Sequence, residues 1–153
     1  MTLQQNGYQM ELQLHPRIWA QNIDFEENEF AKIQREKNSL EEEVVKTCLL
    51  ITDYSSVAFD YAFANTPIIY TQFDKDSFYN NHAYTRGYFN YETMGFGPVC
   101  YDYESTVQAI VHSIENGCVV EEKYAKRVNE FFAYRDDNNC ERIYHEILRL
   151  SGI

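Results

Sequence analysis

The chain has 153 residues, a net charge of −11, 44% hydrophobic residues and 16% aromatic residues. This composition excludes a disordered chain and predicts a globular domain large enough to bury a core. The acidic balance argues against a broad nucleic-acid surface and against direct adhesion to anionic lipid. No apolar run approaches the roughly 20 residues of a membrane span, and the amino terminus lacks a signal-peptide pattern, so we expect a cytoplasmic protein.

The four cysteines, at positions 48, 100, 118 and 140, do not form a metal-binding pattern. None stands in a Cys-x-x-Cys motif, and the histidine spacing matches no zinc site. The sequence therefore predicts neither a metal site nor a bound cofactor. In a reducing cytoplasm we expect four free thiols.

The first third of the chain predicts one strand and two less regular elements. Met10–Leu14 alternates apolar and polar residues and predicts a strand. His15-Pro16 ends it, because proline cannot donate to a strand ladder and keeps the preceding residue extended. The charged segment Asp24–Lys37 predicts a helix or a long loop, and Leu40–Lys46 predicts a short helix.

The middle of the chain predicts two buried strands with a helix between them. The apolar runs Cys48–Thr52 and Pro67–Thr71 are typical of parallel strands, and Ser56–Asn65 carries a helical apolar rhythm. We expect Leu49 to Thr52 at or near the centre of the sheet. Phe73–Asn90, rich in Asp, Asn and Tyr, predicts a long surface loop.

The last third predicts a turn, a short strand and three helices. The turn is Gly95–Pro98 and the strand is Val99–Tyr101. The helices are Ser105–Asn116, Glu121–Tyr134 and Asn138–Leu150. Alternating strands and helices indicate an α/β fold, with a mostly parallel sheet between two layers of helices.

The segment Thr52-Asp53-Tyr54-Ser55-Ser56 is the strongest indication of a binding site. It joins a buried strand to a helix, so it lies at the carboxyl edge of the sheet, where open α/β folds bind ligands. Unpaired backbone N–H groups at the start of the helix and two hydroxyls would favour an anion there. The sequence therefore predicts a site for phosphate or pyrophosphate.

Two other interpretations of this segment remain open. Asp53 or Ser55 could only cap the helix, since both residue types are preferred N-caps, and a cap is compatible with a ligand. Asp53 could also be a phosphate acceptor like that of a receiver domain, although no acidic pair ends an earlier strand. A serine nucleophile is not indicated, because Gly-x-Ser-x-Gly is absent.

The run from Leu49 to Tyr61 resembles the CDP-glycerol glycerophosphotransferase family, the teichoic-acid polymerases and primases of bacterial envelope synthesis. The resemblance covers about residues 10 to 150. Further segments agree with the family in the same order, namely Leu14–Arg17, Pro67–Tyr70, Arg86–Glu92, Gly97–Val99 and Asp137–Ile143.

The resemblance implies the carboxyl-terminal half of a glycosyltransferase-B fold, a Rossmann-like three-layer parallel sheet. Residues 1–153 would be a single nucleotide-donor-binding domain, either a fragment or one half of a two-domain enzyme. The family's amino-terminal half, with its His-Gly-Thr motif, has no counterpart in this sequence. A missing amino-terminal half or a partner chain is therefore implied, and we expect the isolated chain to be inactive.

The resemblance also implies a transferase that moves glycerol phosphate from CDP-glycerol to a teichoic-acid-like or other cell-envelope polymer. Its partners would be CDP-glycerol or a similar nucleotide-diphosphate donor and a polymeric or lipid-linked acceptor, with no nucleic acid. The enzyme would work in the cytoplasm, peripheral to the inner face of the membrane through the rest of the protein. The alternatives are half of a nucleotide-sugar glycosyltransferase and a non-catalytic nucleotide-binding module.

Catalytic and donor-binding residues follow from the same resemblance. His15 matches the family's histidine and would hydrogen-bond the pyrophosphate or act as an acid for the leaving cytidine monophosphate; the alternative is a residue that only ends a strand. The donor-binding residues would be Thr52, Asp53, Ser55 and Ser56. Asp53 would repel phosphate, so it suits a cap or a hydroxyl of the ribose or glycerol.

Arg86 would also bind the donor, as a mobile cation in the long loop. Its alternative is a solvated loop residue. Asn90 stands where the family commonly carries Asp. We expect the strand ends at His15 and at Thr52 to meet at one edge of one sheet, with the donor phosphates beside them.

Overall fold

The computed structural model describes residues 3–35, 38–81 and 87–152. It divides into two compact units, residues 1–43 and residues 44–153, with the boundary inside helix α1 (Leu40–Lys46). The α/β fold class with parallel, Rossmann-like pairing is confirmed. All four cysteines are free. Within the described ranges, every helix is too short or too polar to cross a membrane.

The amino-terminal unit contains a two-stranded parallel sheet. Strand β1 (Met10–Leu12) pairs with strand β2 (Ala31–Ile33), and a 3-10 helix over Pro16–Asp24 connects them. The predicted strand was too long, because it ends at Leu12 rather than Leu14. β2 lies in the segment predicted as a helix or loop, since a three-residue strand with a lysine at its centre has no readable period.

The carboxyl-terminal unit contains a three-stranded parallel sheet in the order β3-β4-β5. The strands are β3 (Leu50–Thr52), β4 (Ile68–Thr71) and β5 (Val99–Cys100). All three were predicted with slightly longer bounds. The first of them was expected at or near the centre of the sheet; β4 is central, and β3 lies beside it at the edge and pairs with β4 alone among the described strands. The apolar run at β3 predicted buried residues, and the structure shows them half-buried.

Helices pack on this sheet and close the core. Helix α2 (Val57–Phe63) contacts β3 and β4, and helix α5 (Tyr103–Glu115) contacts β4 and β5. α2, α5 and the last two helices, α6 (Glu122–Phe131) and α7 (Asn139–Ser151), confirm the predicted helices within a few residues. Helices α3 (Lys75–Asn81) and α4 (Tyr91–Met94) were missed, because they lie in or beside the predicted long loop.

The core of this unit joins α2, β4 and α6 through aromatic side chains. The buried members are Ala58, Tyr61, Ala62, Ile68, Tyr70, Phe96 and Val128. Burial raises the pKa of the Tyr70 hydroxyl far above its ordinary value. Phe96 lies in the predicted turn Gly95–Pro98. In the same turn, a Cβ at Gly97 would overlap the carbonyl oxygen of Ile68. Only glycine therefore allows the turn to approach the central strand this closely.

Candidate functional site

The turn after β3 uses three neighbouring polar side chains in different ways. Asp53 Oδ1 accepts a hydrogen bond from the Ser55 backbone N–H at 3.2 Å, and Ser55 Oγ accepts one from Val57 N–H at 3.4 Å. Ser56 is the N-cap of α2, yet its side chain makes no capping bond to any described residue. Ser55 thus accepts the N–H of the first residue of α2, whereas the bond of Asp53 lies within the turn and does not cap the helix. The exposed Ser56 hydroxyl remains available to a ligand.

Three contacts of Tyr54 fix this turn to neighbouring elements. Its hydroxyl donates to Asp74 Oδ1 at 3.1 Å, and its ring stacks on Phe78 with the centroids 3.6 Å apart. The Tyr91 hydroxyl donates to the Tyr54 carbonyl oxygen at 3.1 Å. These contacts join the turn to α3 and α4, so the two missed helices position the predicted site.

The neighbouring strand ends add further polar groups to the same edge of the sheet. Thr71, the last residue of β4, donates its hydroxyl to the Thr52 carbonyl oxygen at 3.2 Å. Lys75 Nζ donates to Glu92 Oε1 at 2.6 Å and to the Tyr101 hydroxyl oxygen at 2.9 Å. Tyr101 also donates to Glu92. Lys75 follows β4, Tyr101 follows β5, and Glu92 lies on α4 between these strands in the chain. These three residues are therefore joined beside the carboxyl edge of the sheet.

Hydrogen bonding sets the charges of this group of residues. The bond to Glu92 is the main cause that raises the pKa of Lys75, and the same bond lowers the pKa of Glu92. Burial, followed by the bond to Glu92, raises the pKa of Tyr101. Near neutral pH the lysine and glutamate are therefore an ion pair and the phenol is neutral. The positive charge of Lys75 is already balanced by a carboxylate.

His15 is exposed and directly precedes the 3-10 helix Pro16–Asp24. Its Nδ1 accepts a hydrogen bond from the Arg17 backbone N–H at 3.1 Å, and its carbonyl oxygen accepts one from Ile18 N–H at 2.9 Å. An acceptor Nδ1 places the proton of the neutral ring on Nε2. The expectation that His15 directly ends the strand is wrong, because two residues, Gln13 and Leu14, separate it from Leu12.

Thr52, Asp53, Ser55 and Ser56 come together at the carboxyl end of β3. The expectation that the strand before His15 ends at the same edge of the same sheet is wrong. β1 belongs to the two-stranded sheet, where it pairs with β2, a strand that was not predicted. β3 belongs to the three-stranded sheet. Arg86 lies outside the described residues.

Asn90, which stands where the family commonly carries Asp, caps helix α4. Its Oδ1 accepts hydrogen bonds from the backbone N–H groups of Glu92 at 2.9 Å and Thr93 at 3.1 Å. Asn and Asp cap helices about equally well. The substitution therefore keeps the start of α4, which carries Glu92.

The sequence did not indicate Lys75, Glu92 and Tyr101 at this edge. Lys75 and Glu92 are 17 residues apart, and Lys75 and Tyr101 are 26 apart, so no local pattern links them. One signal was present: Asn90 followed by an acidic residue at the second helical position is typical of a helix start.

Comparison with known proteins gives a consistent assignment. The family model described as CDP-glycerol:poly(glycerophosphate) glycerophosphotransferase matches residues 2–149. The minor teichoic acid biosynthesis protein GgaB of Bacillus subtilis is 37% identical over 96% of this chain and 16% of its own length. The teichoic acid poly(glycerol phosphate) polymerase of Bacillus spizizenii is 29% identical over 94% of this chain and 35% of its own length.

A solved structure shares the fold. The wall teichoic acid polymerase TagF superposes with a TM-score of 0.67 at 20% identity, over 94% of this chain and 35% of that one. The chain thus spans about a sixth to a third of the length of these relatives. Because the family model matches nearly the whole chain, the chain belongs to the CDP-glycerol:poly(glycerophosphate) glycerophosphotransferase family.

Proposed function

We propose that this chain is the donor-binding part of a glycerophosphotransferase that moves glycerol phosphate from CDP-glycerol to a teichoic-acid-like or other cell-envelope polymer. The observation that carries the proposal is the family match over residues 2–149, which includes the turn after β3. The position of that turn at the carboxyl edge of a parallel sheet supports it.

The reaction would be a substitution at phosphorus. A hydroxyl oxygen of the acceptor attacks the phosphorus that carries glycerol, and the bond from this phosphorus to the bridging oxygen breaks. Cytidine monophosphate leaves with additional negative charge, and the attacking hydroxyl loses its proton. Donors aimed at the departing phosphate would lower the barrier, because they stabilise charge that grows in the transition state.

The turn would supply such donors. The Ser56 hydroxyl makes no capping bond to any described residue and is exposed, so it can donate to a phosphate oxygen. Asp53 already accepts the Ser55 N–H, which supports a role in shaping the turn rather than a role as a phosphate ligand. Thr52 and Ser55 would shape the turn. Arg86 would add a cation to the donor.

His15 would act through Nε2. Since Nδ1 is engaged with the Arg17 N–H, Nε2 is the ring nitrogen left for a ligand and carries the proton of the neutral ring. This favours hydrogen-bond donation to a phosphate oxygen over the alternative role as an acid. His15→Gln would retain a donor and His15→Ala would not, which makes them a matched pair.

The remaining parts of the enzyme are proposed from the relatives. We propose that an amino-terminal half or a partner chain completes the active site, and that a polymeric or lipid-linked acceptor reacts there. The protein would work in the cytoplasm, at the inner face of the membrane through that remaining part.

Titration with cytidine diphosphate and CDP-glycerol tests the proposal. We expect both nucleotides to bind weakly and phosphorus NMR to show no release of cytidine monophosphate, because this chain corresponds to about a third or less of its relatives. Failure of both nucleotides to bind would refute the donor-binding function. Release of cytidine monophosphate would contradict the expected need for a second half.

A further inference from the structure

One peptide unit in the turn after β3, the unit between Tyr54 and Ser55, is hydrogen-bonded at both of its polar groups. Its carbonyl oxygen accepts from the Tyr91 hydroxyl at 3.1 Å, and its N–H donates to Asp53 Oδ1 at 3.2 Å. The peptide bond is trans, so the two groups point to opposite sides of one planar unit. Rotation of this unit would therefore break both hydrogen bonds together.

The ring of Tyr91 is fixed by aromatic neighbours, so its hydroxyl has a set direction. The ring centroid lies 5.0 Å from that of Tyr70, 5.2 Å from that of Phe89 and 6.0 Å from that of Tyr54, with all three pairs close to edge-to-face. Tyr70 belongs to the buried core, and Phe89 packs against it. Tyr91 is also the first residue of α4, which Asn90 caps. The core and the cap together determine where the Tyr91 hydroxyl lies.

The orientation of the bonded peptide unit determines where the donors of the next residue point. Ser56 follows this unit directly and is exposed, and neither its N–H nor its hydroxyl has a hydrogen-bond partner in the described part of the chain. The side chain before it is already engaged, because Ser55 Oγ accepts the Val57 N–H. Ser56 therefore offers two donors to a phosphate, and their direction depends on the unit that Tyr91 holds.

We propose that Tyr91 is a positioning residue for the phosphates of the donor. With the Asp53 carboxylate, its hydroxyl holds the peptide unit after Tyr54 in the orientation at which Ser56 donates to a phosphate oxygen. Tyr91 acts through the backbone and keeps its own hydrogen bond when the ligand is bound. The proposal rests on the donor-binding function above and adds a residue that lies 37 positions from Tyr54, on another helix.

The first test compares Tyr91→Phe with Tyr70→Phe, and inorganic pyrophosphate is the probe because it has no base or sugar. Both variants keep an aromatic ring in the same cluster, so a general loosening of the core would affect them alike. The Tyr70 hydroxyl accepts the Phe96 N–H at 3.5 Å instead of a group of the turn. We expect roughly three- to tenfold weaker pyrophosphate binding in Tyr91→Phe, the usual effect of one hydrogen bond, and wild-type binding in Tyr70→Phe. The shift of the Ser56 amide resonance would measure both affinities, and wild-type affinity in Tyr91→Phe would refute the proposal.

A double variant separates positioning from an independent effect on stability. If Tyr91 acts through Ser56, Tyr91→Phe should weaken pyrophosphate binding less when Ser56→Ala is already present. The loss in the double variant should then be smaller than the product of the two separate losses. A loss equal to that product would contradict the proposal, because independent sites do not couple.

The N–H end of the same peptide unit provides a test that does not depend on the folding of Tyr91→Phe. Asp53→Asn and Asp53→Ala both remove the negative charge, but only asparagine keeps an oxygen that can accept the Ser55 N–H. We expect roughly three- to tenfold tighter pyrophosphate binding in Asp53→Asn than in Asp53→Ala. Equal affinities would refute the proposal and leave the donor-binding function intact. A wild type that binds neither pyrophosphate nor cytidine diphosphate would refute both.

Discussion

Asp53, Ser55 and Ser56 are close in the chain, but their side chains have different partners. Asp53 and Ser55 accept backbone N–H groups of the turn, while the Ser56 side chain makes no capping bond to any described residue. A side chain that stabilises the fold and one that binds a ligand can therefore be told apart by substitution. The difference was not visible in the sequence, because Asp and Ser are both good caps.

Ser56→Ala should weaken binding of cytidine diphosphate by about 1–3 kcal/mol, since it removes a hydrogen bond to a charged group. The melting temperature should stay at the wild-type value because no cap is lost. Ser55→Ala should lower the melting temperature as well, because the bond to the Val57 N–H disappears. Calorimetric titration and thermal unfolding of both variants would measure this. Unchanged affinity in Ser56→Ala would leave the turn with a capping role only.

At the level of elements, the central strand and the edge strand differ in burial although both are apolar. The β4 residues Ile68, Ile69 and Tyr70 are buried, whereas the three residues of β3 are half-buried. Strand order rather than composition causes the difference, because β4 has a neighbour on each side.

Ile51 and Ile69 are register partners on β3 and β4 and so form a matched pair. Ile69→Asp should cost more than about 4 kcal/mol and prevent folding, because it buries an unpaired charge. Ile51→Asp should cost roughly 1–3 kcal/mol, since a half-buried edge position leaves the carboxylate access to water. Circular dichroism and urea unfolding would show the difference. Equal losses would contradict the central position of β4.

The turn between α4 and β5 provides a second matched pair. Gly97→Ala should destabilise the protein by roughly 1–3 kcal/mol or more, because its Cβ would overlap the backbone of Ile68. Gly87→Ala should be nearly neutral, since a Cβ there has no neighbour within 4 Å among the described residues and the backbone needs no positive φ. Urea unfolding would compare the two. A wild-type midpoint for Gly97→Ala would show that the turn can move away from β4.

For the whole molecule, long apolar runs were predictable from the sequence and tertiary pairing was not. β4, α2 and the last three helices have clear periods, so their positions were predicted within a few residues. β2 is three residues long and has no period, and without it the sheet of β1 could not be assigned. Nothing around Gln72 in the sequence indicates that it is buried and that its backbone N–H pairs with Cys100 of β5, because the two residues are far apart in the chain.

The contacts of Tyr54 with Asp74, Phe78 and Tyr91 order the backbone of the turn in the folded protein. Fixing the backbone of one residue costs roughly 1–2 kcal/mol, and here folding has already met that cost before an anion arrives. Hydrogen bonds from the turn to the proposed donor would therefore contribute to affinity with little loss from ordering the protein. In this sense the aromatic residues of two short helices would preorganise the proposed site.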